Sequence, residues 1–70
     1  MNGERAKELI NIMIDTMIQR EGMNVTPVIE MLIDCDFTRD ELIDDFYFVA
    51  NDVDKIIKNK GWQMIKSMIQ

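Results

Sequence analysis

The chain has 70 residues, 47% of them hydrophobic, with 13 acidic and 8 basic side chains and a formal net charge of −5. That length makes one domain, residues 1–70, with a thin core whose net stability rarely exceeds about 3–5 kcal/mol. There is no histidine, which excludes every Ser-His, Cys-His and His-metal arrangement, and a single cysteine closes no intrachain disulfide.

Ala6, Leu9, Ile10, Met13, Ile14, Met17 and Ile18 recur at three- and four-residue steps, predicting a first helix over about 3–21 that stops at Gly22. Ile12 widens its apolar stripe beyond what one neighbouring helix covers. Glu8 and Asp15 interrupt this stretch, so it is neither a membrane span nor the apolar segment of a signal peptide, and a cytoplasmic protein is expected.

Thr26 before Pro27 reads as an N-cap with proline at the first helical position, opening a second helix over 26–35. That helix is apolar nearly all round and is expected to be the most buried element, with Cys35 packed as a small hydrophobe in a reducing compartment. A turn of about three residues follows. Thr38 and Glu41 then form an S/T-x-x-E capping box, flanked by Phe37 and Leu42 at the positions of a hydrophobic staple. This predicts a third helix over 38–49.

Asn51 is placed to cap a fourth helix over 51–60, with Lys58, Lys60 and Gly61 forming a C-terminal stop, and Trp62, Met64, Ile65, Met68 and Ile69 form a last apolar run over 62–69. The alternative is a helix continuous through Gly61, with that glycine on the face of Ile57, Met64 and Met68. The expected fold class is therefore all-α, a compact bundle of four to five short helices, with no strand and no repeat.

Catalytic and metal chemistry finds little footing in these residues. The three glycines stand singly at 3, 22 and 61, so no phosphate-binding loop exists. The run from Asp34 to Asp45 opens like a calcium loop, but Arg39 stands where that loop needs glycine and Asp45 where it needs glutamate. No enzyme, no cofactor and no metal is the expectation.

Charge is unevenly distributed. Residues 23–54 hold nine acids against one base, and residues 55–70 hold four lysines and no acid. Partial neutralisation of one block by the other is the plain reading. The sharper one is an acidic docking face, Asp40, Glu41, Asp44 and Asp45, offered to a basic protein. The same acids argue against the runner-up, a helix-turn-helix-like DNA-binding regulator, because a recognition helix must neutralise phosphates. Surplus apolar area on the first and last helices, at Ile12, Ile18, Trp62, Met64 and Met68, points instead to a protein interface, most simply a homodimer.

Asp36-Phe37-Thr38-Arg39-Asp40-Glu41-Leu42-Ile43, followed by Asp45-Phe46-Tyr47-Phe48 and Asp52-Val53, resembles an F-T-x-x-E-L…F-x-F…D-V pattern in short helical accessory proteins of Gram-positive phages and mobile elements. The resemblance implies a small accessory or regulatory protein, in some cases an inhibitor of a host system, and assigns no functional residue.

Overall fold

In the computed structural model, which describes residues 3–69, every regular element is helical, with no strand among those residues. Helix α1 (Gly3–Asp15) continues into a π-helical turn (Thr16–Arg20), followed by α2 (Val25–Asp34), α3 (Arg39–Asp44) and α4 (Ala50–Ile69). The first helix thus ends as a wider coil rather than as the regular α-helix expected to residue 21. The Thr16 hydroxyl donates to the Ile12 carbonyl at 2.9 Å, engaging a helix carbonyl with a side chain where the winding changes.

Two expected caps are corrected. Helix α2 begins at Val25, one residue before Thr26, and the residue in N-cap position is Asn24, whose side chain makes no capping bond. Val25 packs against the core, and that burial outweighs the reluctance of Thr26 to be helical before a proline. Pro27 becomes the third helical residue, where its missing N–H still has no intrahelical acceptor to lose. Helix α4 likewise begins at Ala50, which places Asn51 inside the helix rather than at its cap.

The capping box at α3 forms as expected. The Glu41 amide donates to Thr38 Oγ1 at 3.2 Å and the Thr38 amide to Glu41 Oε1 at 3.0 Å. Phe37 packs against the core cluster that contains Leu42. It also closes α2: its amide donates to the Leu32 carbonyl and that of Asp36 to the Ile33 carbonyl, with Asp36 left-handed at φ 69°. These are the two bonds of a Schellman ending.

Helix α3 stops at Asp44, five residues short of the expected 49. Phe46 and Phe48 are both buried, and two residues apart on a helix would face opposite sides. The chain leaves the helix so that both rings enter the core, and Tyr47 between them turns outward at φ 62°.

No break occurs at Gly61, so the expected fourth and fifth helices are one. A glycine in a helix interior costs about 1 kcal/mol relative to alanine, too little to interrupt 20 helical residues.

Nine buried side chains form the core: Ile14 from α1, Val28, Ile29 and Leu32 from α2, Leu42 from α3, Phe46 and Phe48 from the connecting segment, and Val53 and Ile56 from α4. Helix α2 contributes the most of any helix, as expected. Its outer side nevertheless exposes Met31, and Cys35 is exposed rather than packed. The shape is elongated, 41 × 29 × 19 Å, with a radius of gyration of 13.3 Å against about 11 Å for an ordinary domain of this length.

Candidate protein-interaction surface

Helix α4 has two halves with different surroundings. Val53 and Ile56 anchor its N-terminal half in the core, whereas every residue from Gly61 to Ile69 is exposed. Projected at about 100° per residue, the apolar positions of the second half sweep an arc of about 160°, running from Met64 through Met68, Ile65 and Ile69 to Trp62. Its centre lies about 130° from the direction of Val53 and Ile56. The positions that continue the core direction, Gln63 and Ser67, are polar. The apolar face of the tail is therefore turned away from the chain's own body, not left over from its core.

Trp62 is 54% exposed, Met64 66% and Met68 77%. These three expected interface residues share one uncovered helix. Ile12 is also exposed, at 62%, but it lies on the outer side of α1 beside Thr16, Gln19 and Arg20. Ile18 packs against the core. The expected set thus splits into the α4 tail, a separate α1 patch and one core residue. Leu9 and Met13 belong to the α1 patch; their positions about 140° and 100° from Ile14 on a helical projection, on the side of Ile12, could have revealed it.

Gly61 sits in the middle of the tail face, at four-, three- and four-residue steps with Ile57, Met64 and Met68. A Cβ added at Gly61 would meet nothing within 4 Å. Within one copy, then, no steric need for glycine exists at this position.

The four carboxylates of the expected acidic face also divide. Lys7 of α1 reaches Asp45 at 2.7 Å and Glu41 at 3.5 Å. Its pKa is raised, first by the hydrogen bond to Asp45. The Glu41 carboxyl is held below its ordinary value, chiefly by the Thr38 backbone amide and hydroxyl and then by Lys7. Asp40, its side chain 83% exposed, makes only a 3.5 Å contact with Arg39, and Asp44 is exposed as well.

Arg39 itself is clamped elsewhere. Its Nε and Nη2 donate to the two carboxylate oxygens of Asp54 at 2.6 and 3.2 Å. This pair lowers the Asp54 pKa and raises that of Arg39. Neutralisation of the acidic block thus comes chiefly from Lys7 and Arg39, and the tail contributes Lys60, 2.9 Å from Asp34. Lys66 lies 5.7 Å from the centre of the Trp62 ring, a cation–π distance.

An open cleft of about 410 Å³ lies between α1 and the segment before α4, where Asn11, Asp15, Tyr47 and Asp52 supply its polar groups. Among the described residues no three His, Cys, Asp or Glu side chains are placed to hold a metal ion, and no helix is long and apolar enough to cross a membrane.

No family model, no curated protein and no solved structure matches the chain.

Proposed function

We propose that this protein is a small acidic, non-catalytic interaction module that works by binding another protein, or its own copy, through the C-terminal half of α4. The observation that carries this reading is the rotation of the tail's apolar face away from the core direction. A helix that extends past its own body with Trp62, Met64 and Met68 uncovered matches the amphipathic-helix mode of recognition. An accessory regulator or an inhibitor acts in this manner, by occupying a surface. Asp40 and Asp44 add a salt-sensitive contact for a basic partner.

Duplex binding through α3 has less support. That helix has six residues, its outward carboxylates repel phosphate, and Arg39, the one base on it, is engaged by Asp54.

Capture of partners from the source cells, at low and high salt and with nuclease, tests the reading. Nuclease-resistant capture that disappears in Met64→Glu/Met68→Glu is expected. Replacing Asp40 and Asp44 by asparagine should remove only the salt-sensitive part. Capture indifferent to the tail substitutions contradicts the proposal, and a nuclease-sensitive catch favours the DNA-binding regulator.

A further inference from the structure

We infer that the occupant of the α4 face is a second copy of this chain, its own α4 crossing the first in an antiparallel sense near Gly61. The inference rests on the reading of the tail as the binding element and names its partner.

Area is the first argument. A folded chain of 8.2 kDa ordinarily exposes about 4,500 Å². This one exposes 5419 Å², an excess of about 900 Å², close to the roughly 800 Å² that each partner covers in a stable complex.

Geometry is the second. Ile57, Gly61, Met64 and Met68 follow the alternating four- and three-residue spacing of a helix-pairing seam. A two-fold axis through Gly61 sets the seam of one copy against the same seam of the other, which closes the assembly at two copies. The missing side chain at the crossing lets the two backbones approach, and supplies the purpose that Gly61 lacks in a single copy, where a Cβ would meet nothing within 4 Å.

Charge is the third. The seam of Ile57, Gly61, Met64 and Met68 carries no charged side chain, so two copies meet along it without a buried like-charge pair, whereas a polyanion or an anionic membrane would meet a chain of net charge −5.

Sedimentation equilibrium of the full chain, from low to high micromolar concentration, tests the assignment. The expected result is a mass rising from 8.2 kDa to twice that value. Gly61→Leu should keep or raise the helicity and melting temperature of the dilute chain, because leucine is the better helix former and its Cβ enters open space, while raising the dissociation constant roughly tenfold or more. Met64→Glu should do the same through the neighbouring seam position. A monomer at every concentration overturns the inference, as does a dimer that both substitutions leave intact. If that monomer's captured proteins still vanish in Met64→Glu/Met68→Glu, the second copy is excluded and the binding role stands.

Discussion

The rings of Phe37 and Phe46 meet edge to face, with centroids 5.1 Å apart and planes at 89°. One ring belongs to the turn that ends α2, the other to the segment that ends α3, so this contact holds the two turns together over the core. Edge-to-face pairs are worth about 0.5–1.5 kcal/mol beyond the area they bury. A double-mutant cycle with Phe37→Leu and Phe46→Leu, followed by urea unfolding, should return a coupling energy in that range. Additive single losses would show that the pair acts only by burial.

The two threonines read as caps should behave differently. Thr38→Ala removes the acceptor for the Glu41 amide and should cost about 1 kcal/mol. Thr26→Ala removes no capping bond and should change stability by less than about 0.5 kcal/mol. Denaturation midpoints of the two variants decide the matter, and equal losses would contradict the assigned start of α2.

The difference between these threonines shows what was legible in the sequence. The box at Thr38 has two reciprocal partners within four residues, so local chemistry was enough to place it. The start of α2 depended on Val25 reaching the core, a contact with residues distant in the chain. The early end of α3 depended on Phe46 and Phe48 sharing one destination. Its signal was visible in the pattern itself, since two aromatic residues two apart fit an extended segment better than a helix. The tail face was legible as surplus apolar residues. That it turns away from the core became clear only once α4 was continuous through Gly61.

Stability should fall at both ends of the pH scale. Glu41 and Asp54 have folded pKa values below the ordinary carboxylate values, the first through the Thr38 amide, the second through Arg39. Their stabilisation is complete above the unfolded pKa and is lost as pH falls through the folded one, so acid lowers the stability of the chain. Lys7 is raised, chiefly by Asp45. Its contribution is complete below the unfolded lysine pKa and is lost as pH rises through the folded one. Urea midpoints measured against pH should show both arms. Glu41→Gln with Asp54→Asn should flatten the acidic arm, and an unchanged acidic arm would contradict these assignments.

Gly61→Ala should stabilise the dilute chain by up to about 1 kcal/mol, because alanine is the better helix former and the new methyl group enters open space. Thermal melts followed by circular dichroism check this. A loss of stability at low concentration would mean that Gly61 serves the single copy after all.

Trp62 is the sole tryptophan, it lies on the tail face, and it is 54% exposed in one copy, so its fluorescence reports whether that face becomes covered. A concentration series of the full chain should show emission moving to shorter wavelength, with growing protection from acrylamide quenching. Emission that stays that of a solvent-exposed indole, and stays fully quenchable up to high micromolar concentration, would contradict a second copy seated on α4.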